Sequence, residues 1–199
     1  MTRLLLISFI LIQFFANSQT IDVKENFNFK ITEVKGDLNN DKLDDKVVVM
    51  QDTVNEIAPF KLEIFFSNSS GDYKTIATSR KIIAPQYPNG RNGFLTGNSL
   101  ENITIKKNIV IVNYGLLRGH LEHKFRFQNG NFELIGYSAA YLENPQIIRI
   151  IDFNLSTGLR YEKMGKVGTD EIESKSTTKV LIRPLPKIQD VEPFENDLY

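Results

Sequence analysis

The 199-residue chain has no cysteine and no tryptophan. Without cysteine there are no disulfides, no thiolate nucleophiles and no cysteine-ligated zinc. Its two histidines, His120 and His123, leave few places for a Ser–His–Asp triad. No G-x-S-x-G, H-E-x-x-H or Walker loop occurs. Neither charge sign is in excess, with 24 basic and 24 acidic residues. That balance gives no footprint for nucleic acid and no polybasic membrane patch. Heptads, low-complexity segments and internal repeats are also lacking, and helical periodicity is scarce.

The first feature present is a leader. Arg3 supplies a short positive region, Leu4 to Phe15 form an apolar run of twelve, and Ala16-Asn17-Ser18 offers small residues for cleavage. This is the three-part pattern of a secretory signal peptide, and the run is too short to span a bilayer. The alternative is a membrane anchor, which that length disfavours. With no cysteine after the run, a lipoprotein is excluded. The reading is therefore a signal peptide over 1–18, one β-rich domain over 19–180 and an extended proline-containing tail over 181–199, secreted or periplasmic and not inserted in a membrane. Removing Met1 to Ser18 takes away Arg3 and no acid, leaving 23 basic and 24 acidic residues.

The rest reads as strand. Phe27 to Thr32 alternates apolar and polar, the period of a half-buried strand, whereas Val47 to Met50 is apolar on both parities and predicts a central strand. Strands are also expected at Phe60 to Phe66, Asp72 to Thr78, Ile103 to Ile105, Ile109 to Val112, His123 to Gln128, Asn131 to Tyr137, Ile147 to Phe153 and Leu159 to Met164. Lys107-Asn108, Asn129-Gly130 and Asn154 to Gly158 supply hairpin turns, Gly158 in the left-handed region. Leu100 to Asn102 and Asp170 to Ser174 read only as short turns. Before both, Ile83 to Ser99 carries Pro85, Pro88, Gly90, Gly93 and Gly97, a breaker density that predicts a loop. The tail, with Pro184, Pro186 and Pro193, should run extended and dock apolar side chains without joining a central strand. The expected fold is all-β, or β-rich with little helix: an antiparallel meander or sandwich of about eight strands.

The densest chemistry lies in KGDLNNDKLDDKVVV, Lys35 to Val49. Counting from Asp37, the residues Asp37, Asn39, Asp41 and Asp45 stand at positions 1, 3, 5 and 9, and Leu43 at position 7 can offer its carbonyl. Short acidic and amide side chains on alternate residues of a curled loop can wrap hard oxygens around Ca2+. A solvated acidic turn without an ion is the alternative, since Asn and Asp are common turn residues. The stretch resembles the D-x-N-x-D-x-x-x-D calcium loops of FG-GAP (integrin-type) and VCBS-like repeats. That resemblance implies a structural calcium between two antiparallel strands. A single copy excludes a propeller, and Val48 at position 12 excludes an EF-hand. Position 6, ordinarily glycine, is Lys42. A second resemblance, carried by the D-L-N-x-D loop with HKFRFQNGNFELIGYS, is to uncharacterised secreted or periplasmic bacterial proteins, and implies no activity.

Weaker candidates remain. His120 and Glu122 share one strand face, and His123 points to the other. They read as a polar groove with an acid–base histidine or, more simply, as the wet face of an antiparallel strand. Asp152 to Gly158 is explained by a hairpin turn, and three N-glycosylation triplets are weak patterns. The expected function is an exported, calcium-stabilised domain, monomeric, that binds a protein or another cell-envelope ligand. Tyr87, Arg91 and Phe94 of the loop are candidate contacts. A glycan hydrolase using Glu122 with Asp152, or an inhibitor or immunity protein, are the alternatives. No set of catalytic residues is legible.

Overall fold

In the computed structural model, which describes residues 25–93 and 99–194, eleven strands form two antiparallel sheets, with no helix among the described residues. Strands β1 (Phe27–Gly36), β2 (Asp45–Asp52), β3 (Phe60–Ser67) and β4 (Tyr73–Ser79) make a four-stranded sheet in chain order. The seven-stranded sheet runs, again in chain order, through β5 (Leu100–Lys106), β6 (Ile109–Leu116), β7 (Gly119–Gln128), β8 (Asn131–Asn144), β9 (Ile147–Asn154), β10 (Leu159–Lys166) and β11 (Ile172–Lys179). The segment read above as a signal peptide, 1–18, lies outside the described residues.

Turn chemistry sets the meander. Lys107 and Asn108 take φ of 51° and 61°, and Asn129 and Gly130 take 52° and 74°, the paired positive values of a type I′ turn. Gly158, at φ 78°, closes the β9–β10 connection. All ten segments expected as strands form strands, more than the total of about eight expected for the fold; the eleventh, Ile172–Lys179, pairs with β10 as β11, and Leu100 to Asn102, expected as a turn, extends β5. The sequence of β11, IESKSTTK, has no apolar alternation, and its side chains are all exposed. Pairing with β10 alone makes it a strand.

The sheets meet where β1 approaches β5 and β4 approaches β8. Four strands therefore lie over four. Val47, Val49, Leu62 and Ile64 of the small sheet share one buried core with Val110, Val112, Phe125, Phe132 and Leu134 of the large one. Each such side chain contributes on the order of 1.5–3 kcal/mol on leaving water. Strands β9 to β11 continue the large sheet past the small one as a three-stranded wing.

In β1, bulges between Phe27 and Phe29 and between Lys30 and Thr32 shift the register. Phe29 and Ile31 consequently stay exposed while Val34 packs on the core. The tail closes a gap in the large sheet. β9 pairs with β8 from Gly136 onward, so the start of β8 has no strand beside it on that edge. Leu134 N–H donates to the Pro186 carbonyl at 2.8 Å, and Ile188 N–H to the Phe132 carbonyl at 2.9 Å, around a bridge between Glu133 and Lys187. The tail thus joins β8 over one bridge, which its prolines did not announce, and buries Leu185, Ile188 and Val191.

Candidate functional site

The acidic segment forms the turn between β1 and β2, since Gly36 pairs directly with Asp45. Asp37 organises its first half. One oxygen of its carboxylate accepts the N–H groups of Asn39 at 3.1 Å and Asn40 at 2.7 Å, and the other accepts that of Lys42 at 2.9 Å. Asp37 loses some hydration, which opposes ionisation, but the N–H donors of Lys42, Asn40 and Asn39 outweigh it and bring the carboxyl below its ordinary range. Asn39 Oδ1 accepts the Asp41 N–H at 2.9 Å, and Asp41 accepts the Leu43 N–H at 2.8 Å. The bend comes at Asn40 and Lys42, with φ of 69° and 68°. Lys42 thus adopts the left-handed conformation for which calcium loops use glycine.

Asp45 differs from Asp37 and Asp41. It is fully buried, one oxygen accepting the Leu38 N–H at 2.8 Å and the other the Ser67 N–H at 2.9 Å. Burial pushes its carboxyl up. The N–H donors of Ser67 and Leu38 pull it down, and the charges of Asp41 and Asp37 push it up again. A buried carboxylate next to two others is short of positive charge. Among the described residues, no three acidic or histidine side chains are grouped as a ready metal cluster. The oxygens of Asp37, Asn39, Asp41 and Asp45 are nonetheless hard donors of the kind calcium takes, and a carboxylate oxygen that accepts a single N–H keeps a second lone pair, unlike the Asp37 oxygen shared by Asn39 and Asn40.

Glu122 bonds Lys124 at 2.7 Å and accepts the Ser138 hydroxyl at 3.3 Å, and His120 is exposed. His123 is fully buried on the opposite face, among the rings of Tyr114, Phe125 and Tyr137. Burial lowers its pKa to about 3, so it is neutral. Glu122 and Asp152 share the outer face with Ser138 between them, since Glu122 pairs with Ser138 and Ser138 with Asp152. Two strand spacings put their backbones about 10 Å apart. Tyr87 and Arg91 pack on the β2–β3 connection: Tyr87 N–H donates to the Ile57 carbonyl at 3.0 Å, Arg91 donates to the Thr53 carbonyl, and the guanidinium lies 5.5 Å from the Tyr87 ring. Phe94 lies outside the described residues.

Sequence reasoning missed two groups. On the inner face of the wing, Arg149 bonds Glu143 at 2.7 Å and also Glu162, which in turn bonds Arg160. They come together only through the β8–β9–β10 register. The other is Arg126, which lines two clefts at the end of the sandwich that carries the acidic turn. Its signal was present in the alternation of β7, where it reads only as a wet strand face.

Comparison with protein-family models, with curated proteins and with solved structures finds no match.

Proposed function

We propose that this protein is an exported β-sandwich that acts by binding in the cell envelope, and that calcium braces its β1–β2 turn. The observation that carries the metal is Asp45, a fully buried carboxylate whose ionisation is opposed by its own burial and by the charges of Asp41 and Asp37. A divalent cation removes that opposition. Asp37, Asn39, Asp41 and Asp45 would hold it with their side chains and Leu43 with its carbonyl, a set of hard oxygens. Its chemistry here is structural, pinning the turn to β2 and, through Ser67, to the end of β3. Export rests on the three-part leader.

A binding role is favoured over glycan hydrolysis by the placement of the acids. Glu122 and Asp152 stand on an open sheet face, their backbones about 10 Å apart by strand spacing, and neither lines the clefts around Arg126. The test is calorimetry and thermal melting of the residue 19–199 protein in calcium and in EDTA. Saturation at about 100 times Kd adds about 2.7 kcal/mol, or about 5–10 °C in Tm for a chain of this size. No heat and no shift would remove the metal. A shift retained in the Asp41→Asn, Asp37→Asn double variant would place the ion elsewhere.

A further inference from the structure

Two adjoining clefts at the end of the sandwich share one wall residue. The first, about 300 Å3, lies between the acidic turn, the β5–β6 turn and β7, lined by Asn40, Lys107, Asn108 and Arg126 with Leu38 and Phe127. The second, about 380 Å3, lies between the β7–β8 turn and the tail, and includes Arg126, Asn129, Glu133 and Arg183. Each is large enough for a small ligand.

Their rims are fixed by backbone geometry. Asn40, Lys107, Asn108 and Asn129 all have positive φ, between 51° and 69°. Asn108 also bonds Asn40 side chain to side chain, joining turns 68 residues apart in the chain. Arg183 is held by the carbonyls of Leu155 at 3.0 Å and Ser156 at 2.7 Å, which immobilises its charge. Such preorganisation lowers the entropic cost of binding.

Among the residues that line the clefts, cations prevail: Lys107, Arg126 and Arg183 stand against one carboxylate, Glu133, while Asp37 and Asp41 flank Leu38 to Asn40 in the chain without lining either cleft. Glu133 is already engaged, accepting Gln128 Nε2 at 2.6 Å and Asn129 Nδ2 at 3.4 Å. Arg126 is exposed and forms no ion pair among the described residues, so its planar fork is open to a carboxylate. Around it are amides, which exchange hydrogen bonds with hydroxyls in both directions. Phe127 adds an apolar ring. A ligand with a carboxylate, many hydroxyls and a weakly apolar face matches all three features.

We propose that these joined clefts bind an acidic saccharide, with Arg126 receiving its carboxylate. The inference rests on the binding-domain reading and supplies its ligand class; it does not require the calcium. The test titrates the residue 19–199 protein with digalacturonate, with neutral cellobiose and with a tetraglutamate peptide, by calorimetry and amide NMR. Each titration is run both in EDTA and in calcium. The expected result is binding of digalacturonate in preference to cellobiose, with shifts at Asn40, Asn108 and Asn129. Arg126→Ala should weaken it at least tenfold with the fold retained, and Arg126→Lys less. Equal binding of the neutral sugar, an unaffected Arg126→Ala, or no binding at millimolar sugar would overturn the proposal. Preference for the peptide would overturn it in favour of a protein-binding surface. Calcium heat without sugar binding would leave the metal and remove the ligand; sugar binding without calcium heat would do the reverse.

Discussion

Asp45, at the start of β2, accepts the N–H of Ser67, at the end of β3, at 2.9 Å across 22 residues of chain. Its other oxygen accepts the Leu38 N–H at 2.8 Å, so one buried carboxylate ties the acidic turn to two strands. Asp45→Ala leaves both N–H groups without their acceptor and should cost about 2–4 kcal/mol. Asp45→Asn keeps the shape but sets an NH2 against one donor, and should cost about 1–3 kcal/mol. Urea unfolding measures both; a loss below about 0.5 kcal/mol for the alanine variant would contradict this role.

Lys42 carries the strain of the same turn. Its φ of 68° is ordinary for glycine and costs a side-chain-bearing residue about 1–2 kcal/mol. Lys42→Gly relieves that strain against an unfolded-state entropy cost of about 0.5–1 kcal/mol. The expected net change is a gain of up to about 1 kcal/mol, read as a rise in urea midpoint with unchanged slope.

His123 predicts a pH dependence. Its folded pKa, lowered by burial to about 3, lies below the ordinary 6.5. Above pH 6.5 both states hold the neutral ring, and His123 leaves stability unchanged. Between 6.5 and about 3 the unfolded chain takes up a proton that the folded chain refuses, so stability falls with falling pH, by at most about 1.4 kcal/mol per pH unit. Denaturation at pH 7, 6, 5 and 4 should show this slope reduced in His123→Asn. Equal slopes would mean the ring is protonated in the fold.

Ile188 tests the tail. It is fully buried, and its N–H reaches the Phe132 carbonyl at 2.9 Å. Ile188→Ala opens a cavity between the tail and β8 and should cost about 2–5 kcal/mol. Lys187→Ala, one residue away and partly exposed, should stay within about 0.5 kcal/mol. Thermal melts of the pair separate docking from a general effect of mutating the tail.

The sequence announced most strands because their turns are chemically explicit: Asn129-Gly130 and Gly158 adopt the positive φ that their residue types allow. β11 was illegible because a polar strand paired on one edge has no alternating apolar signal. The exposure of Phe29 was hidden by bulges, which reverse facing without altering composition. At the candidate site, spacing located the turn and the sharp bend at Lys42. It could not show that Asp45 is buried or that Ser67 is its partner, because that contact depends on β2 pairing with β3. Arg126 gained its significance only when three turns distant in sequence arrived at the same end of the sandwich.

Within each sheet, every strand lies beside its predecessor in the chain. Successive hairpins can therefore zip up in the order in which the polypeptide emerges, each closing only a short loop. The exception is the segment around Ile188 and Val191, which fills the interior after β11 has been laid down. Chain order thus permits stepwise assembly up to the docking of that segment, and only then is the core covered at the start of β8.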